Sequence, residues 1–297
     1  MGLNKNKIFK NKIAYVFIAP SVIVVAVFII VPLFYSLWMS FYDWDGILTP
    51  KFIGFENFKN LFEDVNFILV LSNNFKYMVL TVIFTVVLGF LFAVAIDRKL
   101  KGWRIYKFTY FIPVMMSVIV IGALFGKVLE PNYGLLNSFF GAIGLHSLQQ
   151  DWLGNPKIVL YSIIGVSVWN NSGYTMILFL SAIQGISPSI HDAATIDGVN
   201  GLQRIIYIIM PGIKRIFYVV IMLMVVFSFK TFDVVWAMTE GGPGWASEVL
   251  STLLYKTAFT NQKFGYASAI AVIMTIIIFT FSLIYIRYSK IGQHETE

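Results

Sequence analysis

The sequence predicts an all-α integral membrane protein with six transmembrane helices, on three observations. Of 297 residues, 58% are apolar and only 12% are charged, about half the roughly 25% of a soluble domain. A water-soluble globule of this composition would expose large apolar patches and associate, and so apolar a chain does not stay disordered. Next, six windows reach the roughly 20 apolar residues that a helix needs to cross a hydrocarbon layer about 30 Å thick. They are 13–38, 77–96, 108–126, 158–183, 216–238 and 266–286. Finally, the basic residues segregate. With the N-terminus in the cytoplasm, the inner segments carry 14 Lys and Arg and the outer ones 7, the bias that orients membrane helices.

That partition accounts for the net charge of +7 as topology, and nucleic acid is not needed to explain it. It divides the chain into a cytoplasmic tail 1–12, a membrane domain 13–286 and a cytoplasmic tail 287–297. The longest loop, 39–76, has 38 residues, short of the roughly 50 of an independent domain. Cysteine is absent, which removes disulfide and thiolate chemistry. His146, His191 and His294 lie outside the apolar runs without metal-ligand spacing, so no metal site is expected.

The first window follows Lys5, Lys7, Lys10 and Lys12 and ends in Leu37-Trp38-Met39. It is too long for a signal-peptide core and lacks the small residues of a cleavage site. It reads as a retained helix kinked at Pro20 and Pro32. The second window leads into the densest basic run, Asp97 to Arg104. In the third, Gly122 and Gly126 form a small-residue pair suited to close helix packing. The fourth carries Trp169, Asn170 and Asn171 at its centre and Tyr174 one turn on. Unpaired amides in hydrocarbon cost several kcal/mol, so these face protein or water. Helix–helix hydrogen bonding and the lining of a polar solute path both satisfy that demand.

The fifth window holds Lys230 and Asp233, each costing roughly 2.5–3.5 kcal/mol near a helix centre. Their i, i+3 spacing allows an ion pair on one helical face, and contact with a solute or gate is the other reading. The sixth window is uncharged.

Two loops depart from plain connection. In 187–211, Ser187 suits an N-cap with Pro188 at the first helical position. Gly198 is placed to end that helix in a left-handed conformation. Asn200 can cap a second helix with Leu202, Ile205, Ile206 and Ile209 on one face, which Pro211 breaks. Ala193 and Ala194 leave a surface without bulk. By pattern alone the segment is either a cytoplasmic connector or a docking site. After the fifth window, Gly241, Gly242, Pro243 and Gly244 read as a turn outside the membrane.

The 187–211 loop resembles the EAA signature of binding-protein-dependent ABC importers, Glu-Ala-Ala followed by a Gly and, ten residues on, by Ile-x-Leu-Pro. The matching positions are Asp192, Ala193, Ala194, Gly198, Ile208, Met210 and Pro211. Asp197 fits the sugar-transporter version, while Asp192 stands for Glu and Met210 for Leu. The stretch from Phe232-Asp233 through Trp236 to Thr239-Glu240-Gly241-Gly242-Pro243 is similar to carbohydrate permeases of the maltose and glycerol-3-phosphate type. So is the fourth window from Trp169 through Gly173 and Met176 to Gln184.

The resemblance implies a type I ABC importer permease-like fold whose EAA loop is a coupling helix seated in a cytoplasmic ATPase. It implies a non-enzymatic permease subunit in a bacterial plasma membrane, both termini cytoplasmic, translocating an oligosaccharide or related sugar or polyol. The implied partners are a second homologous permease subunit, two ATPase subunits and an extracytoplasmic solute-binding protein. No cofactor is expected on this chain, with ATP and Mg held by the ATPase partners. The substrate-pathway candidates are Trp169, Asn170, Asn171, Tyr174, Lys230, Asp233 and Trp236. Gly241, Gly242 and Pro243 would form the outer mouth where the binding protein docks.

A self-sufficient secondary carrier or channel is the alternative, and expects an inverted repeat or several buried acids. Only Asp233 meets that expectation. No phosphate-binding loop is present, Gly126-Lys127-Val128 being the nearest fragment.

Overall fold

Backbone amides in hydrocarbon must be bonded within their own segment, and helices satisfy that rule here. The computed structural model describes residues 5–99 and 101–289. The chain divides into two compact units, Met1–Glu63 with Leu254–Ile273, and Asp64–Leu253 with Met274–Glu297.

In the first unit, α1 (Lys5–Val25) passes through a wide turn at Ala26–Ile30 into α2 (Val31–Met39). Tyr15–Met39 is one continuous span, close to the expected 13–38. Pro32 has no N–H to donate, and the preceding turn widens so that the Val31 N–H reaches Ala26 O. The span is apolar all round and unburied within the chain, as a helix facing hydrocarbon requires. Helix α1 also extends back into the expected tail 1–12, whose first four residues lie outside the described ones.

Beyond it, β1 (Tyr42–Asp43) and β2 (Lys51–Phe52) pair antiparallel, with Tyr42 opposite Phe52. In their connection Asp45 accepts the backbone N–H groups of Ile47 and Leu48 at 2.9 and 2.8 Å. Those two bonds, Ile47 foremost, hold its carboxyl below the ordinary range. Helix α3 (Glu56–Glu63) buries Asn57, whose Nδ2 donates to Ser40 O and Tyr42 O, both at 2.9 Å.

The second unit begins with α4 (Val65–Asp97), capped by the Asp64 carboxylate on the Asn66 N–H. It starts well before the expected 77, because Asn73 and Asn74 are buried and bonded to protein. Next come α5 (Trp103–Met115), α6 (Val118–Val128) and α7 (Leu135–Ala142). Helix α8 (Val159–Gln184) is continuous, matching 158–183.

The 187–211 loop forms α9 (Pro188–Ile196), α10 (Gly201–Gln203) and α11 (Met210–Gly212), with a wide turn at Arg204–Ile209. Helices α12 (Lys214–Phe229) and α13 (Asp233–Thr239) follow. The last two, α14 (Leu250–Tyr255) and α15 (Phe264–Ser289), contribute to both units. Helix α15 covers the expected 266–286 and runs into the expected tail 287–297. Residues 290–297 of that tail, His294 included, lie outside the described residues.

Two expected spans are not straight. The third bends by 102° between α5 and α6. Pro113 in the last turn of α5 cannot extend the hydrogen-bond ladder, and Met116 and Ser117 are extended. The fifth window, 216–238, is interrupted at 230–232 between α12 and α13. Counting two bent pairs as one span each, α5 with α6 and Gly201–Gly212 with α12, gives up to six crossings by length and composition.

The core of this unit is the α4–α8 seam. Gly89 of α4 lets Thr175 of α8 approach until Thr175 Oγ1 donates to Thr85 O at 3.0 Å. Towards the inner end, Phe90, Phe179 and Phe217 pack ring on ring at centroid distances of 4.6–5.8 Å. Helix α5 crosses α8 at Gly173, where an added Cβ would fall 2.1 Å from Tyr110 O. Gly122 packs equally close on Ala237 of α13, whereas Gly126 meets nothing within 4 Å; only the first of the expected pair is a packing glycine.

Candidate translocation site and coupling loop

The interruption between α12 and α13 is the feature around which the polar residues gather. Lys230 closes α12 and Asp233 opens α13, so they do not share a helical face. Of the two readings open for them, the ion pair that their spacing allows on one helix is not formed, because the backbone leaves the helix between them. Thr231, in the break, donates from Oγ1 to the Tyr77 hydroxyl at 3.2 Å, and Tyr77 donates onward to Ser167 Oγ at 2.8 Å. Ser251 Oγ donates to the Thr231 carbonyl. The hydroxyl chain ties the break to α4 and α8, and the Ser251 bond satisfies a carbonyl that a continuous helix would have satisfied itself.

Beside the break lies a cavity of about 260 Å³. Asn170 and Asn171 line it from α8, Tyr77 and Thr81 from α4, and Ser228, Lys230, Thr231, Phe232 and Asp233 from the broken element. Asn170 Nδ2 donates to Pro113 O at 2.7 Å, a carbonyl that also accepts the Met116 N–H at the end of α5, and Asn171 Nδ2 donates to Ser167 O at 2.8 Å. Asn170 thus fastens α8 to α5 while facing the cavity, so the two roles weighed coexist there; Asn171 faces the cavity and bonds only within α8. Four of the seven pathway candidates, Asn170, Asn171, Lys230 and Asp233, meet here.

The other three do not. Trp169 is 40% exposed on the outside of the bundle, edge-on to Phe125. Tyr174 lies beside Phe227 with ring centroids 6.2 Å apart. Trp236 stacks on Phe232 at 5.4 Å. A helical turn rotates by about 100° per residue, so residues adjacent in sequence face different ways. Sequence reading missed Tyr77, Ser167 and Thr231. Hydroxyls are common in apolar helices, and only their convergence on the break marks them.

In the 187–211 loop, Ser187 precedes Pro188 at the first turn of α9, as expected, but its hydroxyl pairs with Ser189 Oγ at 2.8 Å instead of capping. Gly198 has φ +71°. Its N–H bonds Thr195 O at 3.2 Å and the Val199 N–H bonds Ala194 O at 3.0 Å, the left-handed closure anticipated for it. Asn200 caps α10 on both Leu202 and Gln203, and Gln203 returns a bond to the Asn200 N–H, a full capping box.

The expected apolar face is only partly buried: Ile209 is buried, while Leu202 and Ile206 are exposed. Pro211 lies within α11, and the helix ends two residues later at Ile213. A shallow groove is lined by Ala193, Ala194, Asp197 and Ile208. Asp192, Met210 and Pro211 do not line it.

The loop after α13 is pinned. Gly241 has φ +86°, and a Cβ there would fall 2.1 Å from an oxygen of the buried Glu248 carboxylate. Gly242 N–H bonds Thr239 O at 2.9 Å, and Ser247 Oγ donates to Gly242 O at 2.6 Å. The Gly242–Pro243 peptide is cis. Asn73 Nδ2 reaches Trp245 O and Glu248 O at 2.9 and 3.2 Å, and Asn74 Oδ1 accepts the Leu250 N–H at 3.1 Å.

Comparison with known proteins accords with this architecture. The family model described as "Binding-protein-dependent transport system inner membrane component" matches residues 85–291. The probable ABC transporter permease protein YurN of Bacillus subtilis is 37% identical over 99% of this chain and all of its own length. The multiple sugar-binding transport system permease protein MsmF of Streptococcus mutans is 30% identical, over 96% of this chain and 97% of its own. A chain from the crystal structure of a bacterial ABC transporter involved in import of the acidic polysaccharide alginate superposes with a TM-score of 0.84. That likeness covers 97% of this chain and 98% of the other at 21% identity, and it speaks to the fold. Broken spans, capped inner loop and matched length converge: the chain belongs to the family of binding-protein-dependent transport system inner membrane components.

Proposed function

We propose that this chain is the permease subunit through which an ATP-driven importer passes an oligosaccharide or related sugar or polyol. The observation that carries the solute class is the cavity at the α12–α13 break, which offers amides, hydroxyls, a carboxylate and the Phe232 ring together. Such groups suit a solute with rows of hydroxyls and apolar ring faces. At about 260 Å³ it is slightly smaller than the roughly 300–1,000 Å³ of complete small-molecule sites. It therefore serves as one wall of a path completed by a second, homologous permease subunit. The naming of MsmF as a multiple sugar-binding system permease supports the same class.

An extracytoplasmic solute-binding protein delivers the solute at the pinned loop of Gly241, Gly242 and Pro243. On the opposite face, the loop from Asp192 and Ala193–Ala194 through Asp197 and Gly198 to Ile208, Met210 and Pro211 takes up the motion of two ATPase subunits, which hold the ATP and Mg. Both termini face the cytoplasm of a bacterial plasma membrane. The assembled complex, reconstituted in liposomes, is expected to hydrolyse ATP faster with loaded binding protein, for one or a few members of a sugar and polyol panel. Uphill uptake by this chain alone, driven by an ion gradient, would favour the secondary-carrier reading and overturn this one.

The two faces of α8 separate by mutation. Asn170→Leu removes the α8–α5 hydrogen bond to Pro113 O, which keeps the Met116 N–H, and takes an amide from the cavity, at a cost of about 0.5–1.5 kcal/mol. Sugar uptake should fall by up to about tenfold at equal complex yield. Trp169→Leu, one residue away but outside the cavity, should leave uptake within about twofold. Equal losses in both variants would remove the cavity from the path.

A further inference from the structure

A second polar cavity lies away from the path. It measures about 210 Å³ and opens between the end of α4 and the stretch 201–212, lined by Val94, Asp97, Arg98, Arg204, Ile205 and Ile209. The guanidinium of Arg98 reaches across to that stretch, since a Cβ on Gly201 would lie 3.1 Å from its Nη2. Neither arginine has a carboxylate partner among the described residues, although Asp97 faces the same space. Two cations held unpaired around a concavity repel each other unless an anion sits between them. The Asn200 and Gln203 side chains already occupy helix-start N–H groups, so the guanidinia must do the holding.

The surroundings indicate where such an anion comes from. Stretch Gly201–Gly212 is bent by 72° from α12, so with α12 crossing the bilayer it runs close to the plane of the membrane surface. It exposes Leu202, Tyr207 and Met210, as a helix lying in the interface does. The cavity's other wall is apolar, from Val94, Ile205 and Ile209. The densest basic run of the chain, Asp97 to Arg104, begins at the same end of α4.

We propose that this cavity binds the phosphodiester of an anionic phospholipid, phosphatidylglycerol being the headgroup it fits. Arg98 and Arg204 clamp the phosphate oxygens, a geometry guanidinium forks favour. Asp97 accepts a headgroup hydroxyl, and the apolar wall covers the first acyl methylenes. A lipid seated there bridges the end of α4 to the coupling loop, so membrane composition acts on the segment that meets the ATPase.

The test is native mass spectrometry of the full-length chain in detergent with added phosphatidylglycerol or phosphatidylcholine, alongside melting temperatures. The wild-type chain is expected to retain one phosphatidylglycerol in preference to phosphatidylcholine and to melt higher with it. Basic residues near anionic lipid contribute about 1 kcal/mol each, so Arg98→Gln/Arg204→Gln should lower retention roughly thirtyfold. Lys107→Gln, outside the cavity, should leave it unchanged.

Equal retention of the two lipids by the wild-type chain overturns the proposal without recourse to any variant. Unchanged retention in the double variant overturns it as well. Displacement of the lipid by an equal concentration of inorganic phosphate would assign the cavity to a free anion instead. Loss of ATPase co-purification from the double variant in lipid-free micelles, with lipid retention unaltered, would assign the arginines to a protein partner.

Discussion

Alanine at Gly173 is expected to unfold the membrane bundle more readily than any other single methyl added to α8. The new Cβ would fall 2.1 Å from Tyr110 O and 3.0 Å from Val114 Cγ2. The first of these is backbone, in a helix that the stacked Phe92 and Tyr110 rings, 4.0 Å apart, also hold against α4. A side-chain tip could swing aside, but a helical carbonyl moves only if α5 moves. Overpacking of this kind costs about 1–3 kcal/mol and sometimes more, and the upper end applies here. Displacing α5 also pulls Pro113 O from Asn170, which couples the packing defect to the cavity.

Gly165 in the same helix meets nothing within 4 Å. Alanine there should be neutral or stabilising by up to about 1 kcal/mol, the helix-propensity difference. Equilibrium unfolding in mixed detergent and SDS micelles measures both. Equal stability of the two variants would mean that the α5–α8 crossing is not tight at Gly173.

Valine at Gly198 is the second large effect, on function rather than folding. Space is not the obstacle, since nothing lies within 4 Å. The obstacle is φ +71°, which a β-branched residue adopts only as an outlier. Leaving the left-handed region costs the closing bonds Gly198 N–H to Thr195 O and Val199 N–H to Ala194 O, and with them the angle between α9 and α10. A left-handed penalty of about 1–2 kcal/mol shifts the loop population about tenfold away from its present form. Sugar uptake and ATPase co-purification should both fall by about that factor. Asparagine tolerates the left-handed region, so Gly198→Asn should retain most of both activities. If valine and asparagine behave alike, the loop's role does not depend on this turn.

Sequence reading succeeded where a residue's chemistry acts on its own backbone neighbours. Pro188, Gly198 and Asn200 each dictate a local conformation, and the helix starts and stops of the inner loop follow from them. It was partial at Pro113, which signals a kink but not a bend of 102°. At 230–232 it saw a charge pair on a helix, because Lys230-Thr231-Phe232 contains neither Gly nor Pro and nothing local forbids the helix.

Composition and charge bias alone established a multi-pass helical membrane protein, since hydrocarbon solvent selects for apolar length regardless of partners. The motif spacings alone pointed to the importer family, because caps and turns are short-range. Tertiary structure decided where the fifth span breaks and which polar residues meet. At that break Ser251 donates to the Thr231 carbonyl and the Thr231 hydroxyl joins Tyr77 and Ser167, all groups distant in the chain. An energy term shared among separate elements leaves no pattern within any one of them.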